Sequence, residues 1–215
     1  REEKINAVLE NIDGYVIAAN KNCPTQTVIA GESAAVEAAM AVFKESGVSV
    51  HPIPVSHAFH SAIVAPASEP FGRVLARLDM RPPRRPITTN VDASYYNGRS
   101  PRDIVDNLAK QIASPVEWIK QVERMYEDGA RVFVECGPKR ALTGFVTTIL
   151  RRQEHRAIYT NHPKRGGVAS FREALHGRKT VDDLQLDGER QTHHEDKRAK
   201  DMQDKGFPGI LPITN

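Results

Sequence analysis

The chain has 215 residues, enough for one large domain or two small domains with a real core. Its 40% hydrophobic and 27% charged residues are typical of globular proteins. The 30 basic and 27 acidic residues are too evenly balanced to indicate a nucleic-acid partner. No apolar stretch reaches the length of about 18 residues that a membrane span needs. Cys23 and Cys136 form neither a CxxC motif nor a disulfide framework, so we expect a reducing, cytoplasmic setting.

The first quarter of the sequence predicts a small α+β unit. Residues 14–21 and 26–31 are two short β-rich runs joined by a turn. Residues 32–47 have apolar side chains at helical spacing and end at a glycine. With a third strand over 48–55, the order β-β-α-β is typical of a ferredoxin-like unit.

After residue 62 the pattern changes to alternating helices and strands. Apolar residues at helical spacing predict the helices, and continuous apolar runs predict the strands. In chain order we expect a helix over 63–79, a strand over 86–91, helices over 100–113 and 114–129, a strand over 130–136, a helix over 137–152 and a strand over 157–160. Such an alternation is typical of a parallel sheet covered by helices.

Two of these helices have sequence signals that mark their starts. Ser100-Pro101 opens one helix, while Ser114 fits the N-cap of the next, with Glu117 as its capping-box partner. From about residue 179 the sequence is polar and highly charged, without apolar periodicity. We expect a linker or tail with little fixed structure there.

The stretch "PVSHAFHSAIVAP", residues 54–66, concentrates candidate functional side chains. His57 and His60 form an HxxH pattern, which supplies two zinc ligands at most where three or four are needed. His60 is also placed, between strand and helix, where a histidine can act as a general base. A purely structural corner is the third interpretation, and the local pattern leaves all three open.

Three ordered motifs narrow the choice. "HAFHSAIVAP", then "AKQIASPVEW", then "VFVECGPKRALTGF" resemble the acyltransferase family, which comprises malonyl-CoA:acyl-carrier-protein transacylases and the acyltransferase domains of polyketide and polyunsaturated-fatty-acid synthases. "ANKNCPTQTVIAG" is similar to the family's Asn-Ser-Pro stretch, with Cys23 in place of Ser. The resemblance covers residues 12–152. The following "YTNHPKRGGVASFREALHG" is similar to the segment after the acyltransferase in such synthases, which implies a multidomain parent.

The resemblance implies a Ser-His dyad that moves a malonyl group from CoA to the phosphopantetheine thiol of an acyl carrier protein. No tightly bound cofactor and no metal are implied, and neither nucleic acid nor a membrane is expected as a partner. By motif, the catalytic histidine is His60, and its second ring nitrogen is held by a main-chain carbonyl near Gln111. Gln111, His57 and Phe59 are the implied substrate-binding residues. A thiol nucleophile at Cys23 is a weaker alternative, because "NKNCPTQ" does not resemble a nucleophile elbow.

Phe59 is implied to select malonyl over methylmalonyl, because a phenyl ring leaves no room for a branch methyl. One methyl group is worth about 1–3 kcal/mol of discrimination, so the selection is expected to be leaky. The structural alternative for Phe59 is a ring that anchors the strand to the core. Cys136 stands where the family usually has a small apolar residue, and we expect it to be buried.

The family's G-x-S-x-G motif and the arginine that binds the malonyl carboxylate do not occur in this sequence; "GESAA" at 31–35 is the nearest string. The chain also lacks an initiator Met, so we expect it to be the C-terminal part of an acyltransferase domain, inactive alone. Its partners would then be the remaining N-terminal half, the neighbouring synthase domains and the carrier protein. The alternative is a non-catalytic docking or interdomain scaffold.

The resemblance also predicts the fold class and the domain limits. We expect an α/β protein in which a ferredoxin-like small subdomain precedes part of an α/β-hydrolase-like large subdomain. The expected limits are 1–61 for the small subdomain, 62–152 for the large one, 153–178 for a post-acyltransferase linker and 179–215 for the charged tail.

Overall fold

A computed structural model describes residues 2–55, 57–162, 164 and 166–176, together with a strand at Ile210–Ile213. The chain forms two compact units, Arg1–Gln121 and Val122–Asn215. The subdomain limits drawn from the family resemblance, with a change near Ser61, stay a prediction. Within the described residues no helix is both long and apolar enough to cross a membrane.

The first unit begins with an α+β layer. Helix α1 (Glu2–Leu9) precedes strands β1 (Val16–Cys23) and β2 (Gln26–Gly31), which pair antiparallel, and helix α2 (Ser33–Glu45) follows. Apolar side chains from α1, β1 and α2 form one core: Leu9, Val16, Ala18, Ala35, Ala39 and Phe43. A Cβ at Gly31 would lie 2.1 Å from the Tyr15 carbonyl oxygen, so the close approach of the end of β2 to the start of β1 requires glycine.

The third strand predicted over 48–55 is wrong. These residues form no regular structure, and Ile53 and Val55 are 54% and 62% exposed. Pro52 and Pro54 explain the failure, because each removes a backbone N–H that a sheet ladder would use. The apolar run therefore resembles a strand in composition but cannot pair like one.

The remainder of the first unit is mainly helical. The predicted helix over 63–79 is a 3₁₀ turn (Ala62–Ala67) followed by helix α3 (Ser68–Leu75), with Pro66 inside the turn. The strand predicted over 86–91 is reduced to one antiparallel bridge between Thr88 and Tyr95. Helix α4 (Pro101–Gln111) follows.

Of the two helix starts predicted from the sequence, one is confirmed. Ser100 caps α4 with a reciprocal capping box, in which its Oγ accepts from the N–H of Asp103 at 3.1 Å. Helix α5 (Trp118–Glu127), by contrast, begins four residues after Ser114. The Oγ of Ser114 donates to the Lys110 carbonyl at 2.9 Å, and Val116 bridges to β1 instead of entering a helix.

The second unit contains the predicted parallel sheet. Strand β3 (Val132–Glu135) lies between β4 (Arg156–Tyr159) and β5 (Ile210–Ile213) and is parallel to both. Helix α6 (Ala141–Ile149) connects β3 to β4, as a parallel crossover requires. The described residues 167–176 are also helical, inside the range expected to be a linker.

Two expectations about the C-terminal half need correction. Strand β5 lies in the range expected to be an unstructured tail; residues 177–209 and 214–215 of the chain lie outside the described residues. Cys136 is exposed rather than buried, because it follows the end of β3, whereas Cys23 is buried; both are free thiols.

Candidate functional site

His60 occupies a constrained backbone position. Its φ is 61°, in the left-handed region that residues other than glycine seldom adopt. The N–H of His60 donates to the Ile112 carbonyl at 3.0 Å. Non-glycine residues in this region persist where surrounding contacts determine their conformation, and they cluster at functional sites.

The imidazole of His60 is oriented by the end of helix α4. Its Nδ1 lies 3.3 Å from the carbonyl oxygen of Gln111, the last residue of α4. The last carbonyls of a helix have no partner within it and are free to accept such a bond. A carbonyl can only accept, so Nδ1 carries the proton in this contact and the lone pair of the neutral ring is on Nε2.

The other two predicted substrate contacts lie beside His60 in sequence. The rings of His57 and Phe59 are 6.0 Å apart between centroids and tilted by 54°. Phe59 is 54% exposed, so it does not anchor this segment to a core as its structural interpretation requires. The structure thus presents a large apolar ring on the surface, one residue before His60.

The hydroxyl of Ser61, the residue after His60, and the thiol of Cys23 both have other partners. The Oγ of Ser61 is buried and donates to the Ala58 carbonyl at 2.5 Å. Cys23 is 4% exposed, and its Sγ contacts Oγ1 of Thr25 at 3.3 Å. Both side chains therefore make local structural contacts.

The histidines do not come together with other metal ligands in the part of the chain that is described. No group of three or more His, Cys, Asp or Glu side chains there could hold a metal ion. Nε2 of His51, six residues before His57, lies 3.0 Å from the Oγ of Ser49. The pair His193-His194 lies outside the described residues.

The chain that follows Gln111 and Ile112, whose carbonyls lie against His60, is fixed to β1. The N–H of Lys21 donates to the Val116 carbonyl at 3.0 Å, and the N–H of Val116 donates to the Ala19 carbonyl at 2.8 Å. Nζ of Lys21 lies 2.6 Å from Oε1 of Glu117, and the N–H of Glu117 donates to the Asn90 carbonyl at 2.9 Å. No sequence pattern indicates the Lys21–Glu117 pair, because the two residues are 96 positions apart and Glu117 fits a capping box.

Lys21 keeps its charge although its side chain is largely enclosed. Burial by itself lowers the pKa of a lysine, but hydrogen bonds and charge from Glu117 and Glu2 outweigh it. The net result is a pKa of Lys21 above its ordinary value. The lysine therefore remains protonated at neutral pH.

The described residues form a mixed α/β fold, and comparison with known proteins gives the family. Residues 2–182 match the family described as "Acyl transferase domain". The chain belongs to this family.

Three relatives show how the chain relates to complete proteins. It is 35% identical over 141 residues to the malonyl CoA-acyl carrier protein transacylase of Bacillus subtilis, covering 65% of this chain and 44% of that protein. It is 33% identical over 163 residues to the polyketide biosynthesis protein ThaF of Burkholderia thailandensis, covering 75% of this chain and 14% of that protein. The structure of a malonyl-transacylase in complex with a type II polyketide synthase acyl-carrier protein matches with a TM-score of 0.72 at 32% identity, over 81% of this chain and 55% of the other.

The structural match confirms the predicted α/β fold class. The chain spans about half the length of the malonyl transacylases that it matches.

Proposed function

We propose that the chain forms part of an acyltransferase that moves a malonyl group from CoA to the phosphopantetheine thiol of an acyl carrier protein. The observation that carries this proposal is the 3.3 Å contact from Nδ1 of His60 to the Gln111 carbonyl. The contact leaves Nε2 as the proton acceptor, which is the state that a general base needs. The malonyl transacylase relatives support the choice of acyl group and acceptor.

In the proposed reaction Nε2 of His60 takes the proton of a serine hydroxyl as its oxygen attacks the thioester carbonyl of malonyl-CoA. The carbon–sulfur bond breaks, the CoA sulfur leaves with the proton from His60, and a malonyl-serine ester remains. The phosphopantetheine thiol then gives its proton to His60 and attacks the ester. The serine oxygen leaves and recovers that proton, so the enzyme is unchanged after one transfer.

The serine and an arginine for the malonyl carboxylate are assigned to a part of the acyltransferase outside this sequence. The 215 residues contain no G-x-S-x-G string. In this proposal the chain contributes the base, the carbonyls that orient it and Phe59 beside the acyl group. It does not form an acyl-enzyme alone.

The proposal is tested by intact-mass spectrometry of the acyltransferase that contains this chain, after incubation with malonyl-CoA. We expect one malonyl adduct, which disappears when a carrier protein bearing phosphopantetheine is added and reappears on that carrier protein. The isolated chain serves as the control and should carry no adduct. If the parent protein gains no adduct and passes no malonyl group, the transferase role is wrong, and the scaffold interpretation takes its place.

A further inference from the structure

A nearly buried ion pair connects β1 to the chain just after Gln111 and Ile112, whose carbonyls accept from His60. Lys21 and Glu117 are 2.6 Å apart between Nζ and Oε1, and their side chains are only 14% and 11% exposed. Lys120 approaches the other carboxylate oxygen of Glu117 at 3.2 Å. The main chains at the same place are joined by the two hydrogen bonds between Val116 and β1.

Val116 and Glu117, which are fixed to β1, lie only a few positions after Gln111 and Ile112, whose carbonyls accept from His60. Residues 113–115 alone separate Ile112, which accepts from the His60 N–H, from the anchored Val116. Pro115 fixes one backbone dihedral of that connection. Only this short connection separates Glu117 from the carbonyls of Gln111 and Ile112.

The carboxylate of Glu117 depends on its lysine partners. A buried charge that loses its partner is strongly destabilised. The main chain there makes the two hydrogen bonds to β1 and the bond from the Glu117 N–H to the Asn90 carbonyl, each with only a modest net contribution to stability. The ion pair adds a charged contact between β1 and residue 117 at the same place.

We infer that Lys21 and Glu117 are a positioning pair for His60, which holds the Gln111 carbonyl where it selects the Nδ1–H tautomer. The inference rests on the proposed function for its catalytic meaning, while the tautomer can be measured independently of any activity. Neither residue contacts the reacting atoms in this arrangement.

The first experiment is nitrogen-15 NMR of the histidine rings in the intact acyltransferase, with the His60 signals assigned from a His60→Gln variant. We expect neutral His60 to be in the Nδ1–H form. Glu117→Gln, which keeps the side-chain shape but removes the charge, should shift it toward Nε2–H. The matched control is Glu2→Gln, which removes the other carboxylate on Lys21, 2.5 Å from Nζ, without touching residues 111–117. It should leave the tautomer unchanged.

The second experiment separates positioning from general stability. In malonyl transfer we expect Glu117→Gln to lower kcat on the order of 10-fold to 100-fold with little change in KM, because a small misplacement of the base affects only the chemical step. Lys21→Arg, which keeps the positive charge beside Glu117 and Glu2, should retain both the Nδ1–H tautomer and most of kcat. If Glu117→Gln does not fold, Lys21→Gln removes the other charge of the pair, and the His60 tautomer and kcat are measured on that variant.

A folded Glu117→Gln or Lys21→Gln protein that keeps the Nδ1–H form would overturn the inference, and so would an equal shift in Glu2→Gln. If the wild-type protein transfers no malonyl group, the proposed function fails, yet the tautomer comparison still decides whether this pair orients His60.

Discussion

Phe59 is the residue whose exposure most directly suggests a role in substrate choice. Its ring is 54% exposed and tilted against His57, next to the histidine assigned as the base. Replacing it by Phe59→Ser together with His57→Tyr should relax the preference for malonyl over methylmalonyl by about 10–200-fold, the range that one methylene supplies. Competition between the two acyl-CoAs, read from the mass of the acylated carrier protein, measures this. An unchanged product ratio in a variant that still transfers would show that selection lies elsewhere.

Asp92 gives a pH-dependent test of local structure. Burial of the carboxyl opposes ionisation, but hydrogen bonds from Ser94 and Thr89 outweigh it and lower the pKa of Asp92 from 3.8 to about 2. A lowered pKa adds stability that is complete above 3.8 and is lost as the pH falls toward 2. We expect Asp92→Asn to cost about 1 kcal/mol at neutral pH, after discounting for the half-exposed side chain.

Urea unfolding of wild type and Asp92→Asn at several pH values checks this expectation. The two free energies of unfolding should converge near the lowered pKa. Asp106→Asn is the control, because Asp106 lies 3.9 Å from Arg102 on an exposed helix face and should contribute little at any pH. A difference between wild type and Asp92→Asn that persists undiminished at that low pH contradicts the assignment.

Among the individual residues, His60 and Phe59 could be found from the sequence because their motif is contiguous. The Lys21–Glu117 pair could not be found in this way. No local pattern links two residues 96 positions apart, and Glu117 satisfies a capping-box pattern that the folded chain does not use. The roles assigned to His57, Phe59, His60 and Gln111 stay predictions.

Among the elements, helix α4 offers a clean test of capping. Ser100→Ala removes the side chain that accepts from the Asp103 N–H, and helix caps of this type contribute about 1 kcal/mol. The matched control is Ser114→Ala, at the position where the sequence suggests a cap but the Oγ only donates to the Lys110 carbonyl. Thermal unfolding should show a clear loss of stability for Ser100→Ala and a smaller one for Ser114→Ala; the reverse order would contradict the assignment.

Helices α2 and α4 were predictable because apolar periodicity marks α2 and a local cap marks α4. The predicted strand over 48–55 failed because its composition suits a strand while its two prolines cannot donate to a ladder. Strand β5 could not be predicted for two reasons. Its short apolar run follows a long charged region, and its partner, β3, is far away in sequence.

For the molecule as a whole, a row of exposed apolar side chains predicts self-association. Phe71, Val74 and Leu78, at helical spacing on and just after α3, are 37%, 54% and 57% exposed. Contiguous apolar patches are uncommon on monomeric proteins, so we expect the isolated chain to self-associate. Val74→Gln with Leu78→Gln should reduce the apparent mass in light scattering coupled to size exclusion.

The control for that experiment is Val48→Gln, an exposed apolar residue outside α3, which should leave the apparent mass as in wild type. A wild-type chain that is monomeric at every concentration, with a cooperative melt, would show that this row of side chains needs no covering.

The most direct test of the central claim is malonyl transfer by the acyltransferase that contains this chain, comparing His60→Ala with His57→Ala. The positive φ of His60 and its two contacts to Gln111 and Ile112 distinguish it from His57. We predict that His60→Ala slows transfer to the carrier protein by about 10²–10⁴-fold, as expected of a general base, and that His57→Ala costs much less. Equal losses, or a larger loss for His57→Ala, would contradict the assignment of His60 as the base.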